Sequence, residues 1–319
     1  MKIGFIGLGR MGKNIVLHLL EGGIEVVAWN RSSEPREELR QEVKELKKGA
    51  ENLTIIETTD ELVKSLDAPR VVWLMVSAEA IDAVLEDLVP KLSKDDLVID
   101  GGNSFYQETL RRAKELSEKG IHFMDVGTSG GVEGARHGAC MMAGGSKEDF
   151  ARVESILKAE AAPQAYGHLG PTGAGHFAKM VHNAIEYGMM ESIGEGLAIL
   201  KNSPFNYDFV KVLNIYNNKS VIDSRLVGWT LDAFKEDADL SNTSSVIGSG
   251  GGGKERIKAE GDWTVDIAKQ WGIDIPAIEN AMIVRTESAK VPEDSPNGFR
   301  NKVVAAIRGQ FGHFDVKKS

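Results

Sequence analysis

The chain contains a single cysteine, Cys140. No intramolecular disulfide can form and no cysteine-based metal site is available, which fits a reducing compartment. Long apolar runs are also missing. No stretch approaches the ~18 uninterrupted apolar residues of a membrane helix, so no membrane span is expected. Positive charge is in deficit too: the formal net charge is −9, the wrong sign for a general nucleic-acid binder. An anionic small molecule remains open as a ligand, because a few clustered Arg and Lys side chains reverse the field locally. The seven histidines show no H-x-x-x-H pair and no carboxylate spacing that would complete a ligand set, so no metal is expected. The apolar start, Met1 to Leu8, is interrupted by Arg10 and Lys13 and lacks a small-residue cleavage site. It is therefore not read as a leader, and a cytoplasmic location is expected.

What is present is the composition of a globular protein: 42% hydrophobic and 27% charged residues over a length of 319, enough for about two domains. The first half alternates short apolar runs with charged, periodic segments, the pattern of a parallel sheet covered on both faces. Ile3–Ile6, Val26–Trp29, Val71–Val76, Leu97–Asp100, His122–Val126 and Ala139–Ala143 are the expected strands. Arg36–Lys48, Ala78–Val89, Tyr106–Lys119 and Lys147–Lys158 are the expected helices between and after them. Near Gly170-Pro171-Thr172-Gly173 the texture changes. Gly175–Leu200 reads as one long helix, and most of the remainder reads helical. The exception is Ser241–Gly253, a Ser/Gly-rich stretch ending in four glycines, read either as a plain flexible loop or as a mobile loop beside a ligand. The expected division is residues 1–173, a doubly wound α/β domain, followed by residues 174–319, an all-helical domain for substrate binding and oligomerisation.

Gly7-Leu8-Gly9-Arg10-Met11-Gly12 follows the first strand and opens a helical pattern. In that context G-x-G-x-x-G is the dinucleotide-binding turn of a Rossmann-type fold. Gly7 permits the tight turn, Gly9 lets a pyrophosphate approach the backbone, and Gly12 lets helix pack on strand. The helix N-terminus offers free N–H groups to the phosphates. After the second strand, where an NAD enzyme usually carries Asp or Glu, stand Asn30, Arg31, Ser32 and Ser33. An acidic side chain would repel a 2′-phosphate, whereas Arg31 can pair with one. This favours NADP over NAD without closing the question.

The segment from Gly173 to Gly188 is the most informative in the chain. At about 100° per residue, Lys179, His182, Asn183, Glu186 and Tyr187 share one helix face, and Met180, Val181, Ala184 and Ile185 take the other. So varied a polar set on one stripe is costly unless it faces a wet cleft. Oxidising an alcohol needs a base for the hydroxyl proton, a role open to a lysine whose pKa is lowered by its surroundings. Decarboxylation of a resulting β-keto acid leaves an enol that needs a proton on carbon, and Glu186 lies two turns along the same face. Two glycine loops, Asp100-Gly-Gly-Asn-Ser104 and Thr128-Ser-Gly-Gly-Val132, follow strands at the ends where a doubly wound sheet places its ligand crevice.

Together these segments, with Asp262-Trp-Thr264, resemble the decarboxylating 6-phosphogluconate dehydrogenase family in a short-chain form. The resemblance runs the length of the chain, and the His-Asn-x-x-Glu-Tyr continuation after Lys179 is its specific part. It implies oxidative decarboxylation of 6-phosphogluconate to ribulose 5-phosphate with reduction of NAD(P), within the pentose phosphate pathway. Lys179 would be the general base and Glu186 the acid. Asn103, Ser129, Gly130, Gly131, His182 and Asn183 would contact the sugar acid. Tyr187, Lys258 and Arg285 would surround its phosphate. Arg308 and His313 would complete the site of a neighbouring subunit, which implies a homo-oligomer, dimer or tetramer. The implied cofactor contacts are Gly7, Leu8, Gly9, Met11, Gly12, Asn30, Arg31, Ser32, Val76 and Asn103. Departures include Glu260 where the family has threonine, and an Arg–His spacing in the tail one residue shorter than in the long form. The rival readings are a 3-hydroxyisobutyrate-type β-hydroxyacid dehydrogenase, which needs no phosphate site, and a non-catalytic dinucleotide-sensing regulator, which needs neither Lys179 nor Glu186.

Overall fold

A computed structural model describes residues 1–248, 258, 260–312 and 316–317. The chain divides into two units, Met1–Met180 and Val181–Ser319.

The first unit is built on eight strands: β1 (Lys2–Ile6), β2 (Glu25–Trp29), β3 (Leu53–Ile55), β4 (Val71–Leu74), β5 (Leu97–Asp100), β6 (His122–Ser129), β7 (Ala139–Gly144) and β8 (Ala161–Gly170). They form one sheet in the order β3-β2-β1-β4-β5-β6-β7-β8. Pairing is parallel from β3 across to β6, turns antiparallel between β6 and β7, and is parallel again between β7 and β8. β4 and β5 are buried at every position, as strands covered on both faces must be. Their alternate residues feed two different cores. Ile3, Phe5, Val26, Ala28, Val71, Trp73, Leu97 and Ile99 point to one layer. Ile6, Val27, Val72, Leu74 and Val98 point to the other. The layers are completed by α1 (Arg10–Glu21), α2 (Glu34–Glu42), α3 (Thr59–Lys64), α4 (Ile81–Leu88), α5 (Tyr106–Ser117), α6 (Gly131–His137) and α7 (Lys147–Glu160). This is the doubly wound α/β arrangement read from the sequence, and its strand order reverses at β1, between β2 and β4.

Two strands were not expected. β3 is only three residues long and half-buried, too short for a periodicity to show. β8 contains Pro163 and two glycines. Those residues are poor ladder formers, and they are tolerated because β8 is an edge. The Val71–Val76 run leaves the sheet after Leu74. The expected Arg36–Lys48 helix stops at Glu42 and tightens into a 3-10 turn, and Ala78–Ala80 is likewise a 3-10 turn ahead of α4.

The long helix α8 (Ala174–Lys201) runs from the first unit into the second. The second unit adds α9 (Phe209–Tyr216), α10 (Arg225–Glu236), α11 (Glu260–Trp271), α12 (Pro276–Glu287) and α13 (Pro296–Gly312). Its core gathers Met190 and Leu197 of α8, Leu213 of α9, Val227 and Phe234 of α10, and Val303 and Ile307 of α13. The described part of the Ser/Gly-rich stretch is tied down. Ile247 is 2% exposed, its N–H donates to Ser288 Oγ at 2.9 Å, and the Ser244 N–H donates to the Val316 carbonyl. Gly250–Gly253 lies outside the described residues. Among the described residues, no helix is long and apolar enough to cross a membrane.

Candidate active site

The glycine turn after β1 adopts the geometry expected of it. Gly7 has φ +104°, a left-handed value that favours glycine, and a Cβ there would lie 2.3 Å from the Met75 carbonyl oxygen. A Cβ on Gly12 would lie 2.0 Å from the Gly7 carbonyl oxygen, whereas a Cβ on Gly9 would meet nothing within 4 Å. Helix and turn are thus locked together while the rim at Gly9 stays open, which suits an entering pyrophosphate. The loop is held from the side by Asn30, whose Oδ1 accepts the Leu8 N–H at 3.0 Å. Val76, just past β4, stands against Gly7, and its carbonyl approaches Gly102 after β5. Arg31, Ser32 and Ser33 are exposed. A residue that sequence reasoning missed, Arg36, is buried behind them. It donates to the Asn30 carbonyl at 2.7 Å and pairs with Glu57 at 2.6 Å, bracing the end of β2.

The loop after β5 is shaped by Asp100, another missed residue, which is wholly buried. Its Oδ1 accepts the Gly102 N–H at 3.0 Å and its Oδ2 the Ser104 hydroxyl at 2.6 Å. Arg112 of α5 donates to Ser104 at 3.3 Å and grips Asp82 with two nitrogens. This pair and Arg111 hold the Asp82 carboxyl down at about 2. Asn103 is left exposed at the tip. At the end of β6, Ser129 is half-buried, and Gly130 and Gly131 carry φ +123° and +64° where the chain turns into α6.

α8 carries the next set. Lys179 is 6% exposed and Asn183 8%. A Cβ on Gly127 of β6 would lie 2.4 Å from the Lys179 Cβ, so only glycine lets the helix seat there. In the second unit, His182 Nδ1 lies 3.0 Å from Asn183 Oδ1 and 3.9 Å from Glu186 Oε2. The supposed apolar face is not uniformly interior. Met180 and Ala184 are buried, but Ile185 is 51% exposed, because in a helix buried along much of its surface periodicity does not say which flank is left uncovered.

A cationic group occupies the second unit. The Arg285 guanidinium stacks over the Tyr187 ring at 4.8 Å. Arg308 is 5% exposed and donates to the Gly248 carbonyl at 2.8 Å. Burial first, then the Arg285 charge, push the Arg308 pKa down to about 10, against the pull of Tyr187 and Glu186. The Tyr187 phenol is pushed up by burial and by the Glu260 charge. Two further residues expected around the phosphate fall in this unit. Arg308, expected to serve a neighbouring subunit, is buried within its own unit. Lys258, expected beside the phosphate, is exposed and paired with Asp266 at 2.7 Å. The nearby carboxylate is the stronger attraction for a solvated ammonium. His313 lies outside the described residues.

A glycine turn at the reversal point of a doubly wound sheet, followed by a helical unit, defines a dinucleotide-binding α/β protein. Comparison with known proteins is more specific. Residues 2–170 match the NAD binding domain of 6-phosphogluconate dehydrogenase, and residues 175–304 match the C-terminal domain of the same enzyme. The chain is 42% identical over 318 residues to YqeC of Bacillus subtilis, covering 100% of both chains; that protein's own assignment as a 6-phosphogluconate dehydrogenase is provisional. It is 35% identical to the NAD-dependent, decarboxylating 6-phosphogluconate dehydrogenase of Haloferax volcanii, covering 100% of this chain and 99% of that one. The NADP-dependent enzyme of Bacillus subtilis is 40% identical over 92% of this chain, which spans 62% of the length of that longer relative. Among solved structures, the Plasmodium falciparum 6-phosphogluconate dehydrogenase superposes with a TM-score of 0.79 at 30% identity, over 96% of this chain and 70% of that one. A 3-hydroxyisobutyrate dehydrogenase of Mycobacterium tuberculosis shares the fold, with a TM-score of 0.70 at 18% identity, over 96% of this chain and 99% of that one. The chain belongs to the 6-phosphogluconate dehydrogenase family of NAD(P)-binding oxidoreductases.

Proposed function

We propose that this protein oxidises 6-phosphogluconate and releases carbon dioxide and ribulose 5-phosphate, with NADP preferred over NAD. The observation that carries the reading is the pair of guanidiniums, Arg285 and Arg308, gathered around Tyr187 in the second unit. Holding two such charges close enough for one to depress the other's pKa is costly unless a ligand of opposite sign repays it. A phosphate monoester does so, and a small unphosphorylated hydroxyacid does not. Glu260, whose charge acts on the same phenol, opposes an anion there, so the two arginines must outweigh it.

The Gly7–Gly12 turn, with Leu8 and Met11, would hold the dinucleotide, and Asn30, Arg31, Ser32, Val76 and Asn103 would border it. When bound, the nicotinamide supplies the hydride acceptor. The chain's own groups would do the rest. Lys179, buried against Gly127, would take the hydroxyl proton. Asn103, Ser129, His182, Asn183 and the backbone at Gly130 and Gly131 would orient the sugar acid. Glu186 stands seven residues beyond Lys179 on α8, about two helical turns. After carbon dioxide leaves, it would return a proton to carbon. Exposed Ile185, Met189 and Ile199 on α8 and Ile215 on α9 support association into a homo-oligomer. Sedimentation velocity would report that assembly directly.

The test is turnover of purified protein with 6-phosphogluconate and, separately, 3-hydroxyisobutyrate, under NADP and under NAD, with carbon dioxide trapped. Stoichiometric carbon dioxide and reduced NADP from 6-phosphogluconate are expected. Turnover of the smaller acid alone would overturn the proposal.

A further inference from the structure

Asp125 lies inside β6 with no exposed surface, and the site described above gives it no part in the chemistry. Its Oδ1 accepts the N–H of Gly173 at 2.6 Å, and its Oδ2 accepts the N–H of His176 at 2.7 Å. Those amides belong to the start of α8, where the first N–H groups have no intrahelical acceptor. Because both oxygens accept, the ionised form is the one that satisfies both donors. The fit is close: a Cβ on Gly144 would lie 2.6 Å from Oδ1, and one on Gly175 2.9 Å from Oδ2.

Residues two apart in a strand share a face, so Asp125, Gly127 and Ser129 point the same way from β6. Asp125 holds the beginning of α8, Gly127 admits the Cβ of Lys179, and Ser129 opens the loop proposed to meet the substrate. One strand face therefore sets both the axial and the rotational register of the helix. The His176 side chain, 1% exposed, locks the same turn: its Nδ1 lies 2.7 Å from Thr109 Oγ1, and that hydroxyl reaches the Phe105 carbonyl at 3.4 Å. His176 Nε2 has no partner among the described residues. Burial raises the Asp125 pKa, and Asp100 on β5 adds to the rise; His176 and the two amides oppose it.

We propose that Asp125 is a positioning residue: its two-point cap fixes α8 on β6 so that Lys179 departs from Gly127 toward the reacting atoms. The inference rests on reading Lys179 as the base. Asp125→Asn is the test, because the amide keeps the size but can accept from only one of the two N–H groups. Competitive labelling with acetic anhydride across pH reads the Lys179 pKa without turnover. Hydrogen exchange reads the Gly173 and His176 amides, and steady-state kinetics read kcat and both KM values. Exchange at those amides should quicken at least about tenfold. The Lys179 pKa should move by about half a unit or more, since the surroundings of the ammonium change once the helix is no longer fixed on β6. The kcat should fall at least about tenfold while KM for the dinucleotide stays within about twofold. A labelling profile and kcat that do not move, even with a lowered melting temperature, would overturn the proposal and leave Asp125 as a brace of the fold. Should that variant not fold, Thr109→Val loosens the same turn through His176. It should lower kcat severalfold with dinucleotide KM held, and an unchanged kcat would overturn the idea equally. If the wild-type protein does not turn over 6-phosphogluconate, the proposed function fails, while labelling and exchange still decide what Asp125 does to Lys179.

Discussion

Replacing Arg308 with methionine should make the protein more stable and a poorer enzyme. In the folded chain the Arg308 pKa stands at about 10 rather than 12.5, a displacement equivalent to about 3 kcal/mol. At neutral pH arginine is protonated in both the folded and unfolded states, so the full cost of charging a buried guanidinium beside Arg285 is present there. Methionine fills similar length with apolar surface and removes that cost. It also forfeits the bond to the Gly248 carbonyl, 2.8 Å long, which returns about 1–2 kcal/mol. The net gain is about 1–2 kcal/mol, or roughly 2–6 °C in melting temperature. If Arg308 meets the phosphate, the same change removes a charge-assisted bond of about 1.5–3 kcal/mol, raising KM for 6-phosphogluconate about ten- to hundredfold. Differential scanning fluorimetry without ligand and initial rates with substrate read the two effects separately. A lower melting temperature combined with an unchanged KM would refute the reasoning, because Arg308 would then be an ordinary structural arginine.

Lys179→Met should cut kcat by about 10²–10⁴, with reduced-dinucleotide binding, followed by fluorescence, unchanged. Asn30→Asp keeps the acceptor for the Leu8 N–H but adds a charge that repels a 2′-phosphate, so the ratio of NAD to NADP kcat/KM should rise about tenfold or more. Glu160, buried beside His18 at 3.2 Å, has its pKa raised by burial to about 7, and His18 is raised by its bond to Glu160. Both groups bind protons more tightly folded than unfolded, so wild-type stability should fall as pH rises from about 4.5 through 7. Glu160→Gln should flatten that fall, gaining about 1–2 kcal/mol at pH 8 and little at pH 5, as measured by urea unfolding at several pH values.

Much of the first unit was legible because its strands are apolar runs buried on both faces, and the turn after β1 is punctuated by Gly7 and Gly12, where a side chain would collide with backbone. The reversal of direction at β7 was not, since parallel and antiparallel strands bury the same side chains. Nor was β8, whose proline and glycines read as loop until its edge position is known. The residues that shape the site without belonging to its motifs were the harder class. Asp125 could have been flagged as an acid inside an apolar run, and Asp100 as the head of a turn whose side chain bonds its own backbone. Arg36 gave no signal at all, because its function is a bond to the Asn30 carbonyl that only the fold creates. In the second unit the resemblance named the residues but not their partners: that Arg285 stacks on Tyr187, Lys258 pairs with Asp266 and Arg308 is buried depends on contacts that only the fold creates.

The continuity of α8 sets a rule for how chains of this kind can vary. Lys179 belongs to one unit and Glu186 to the other, so neither half could inherit both proposed proton carriers by itself. A single residue inserted between Met180 and Val181 would rotate everything after it by about 100° and advance it by about 1.5 Å. The acid would then leave the face of the base although every side chain survived. Gene fusion, duplication or loop growth can add length to such a protein, but not between those two residues. The helix keeps phase as a thread keeps pitch.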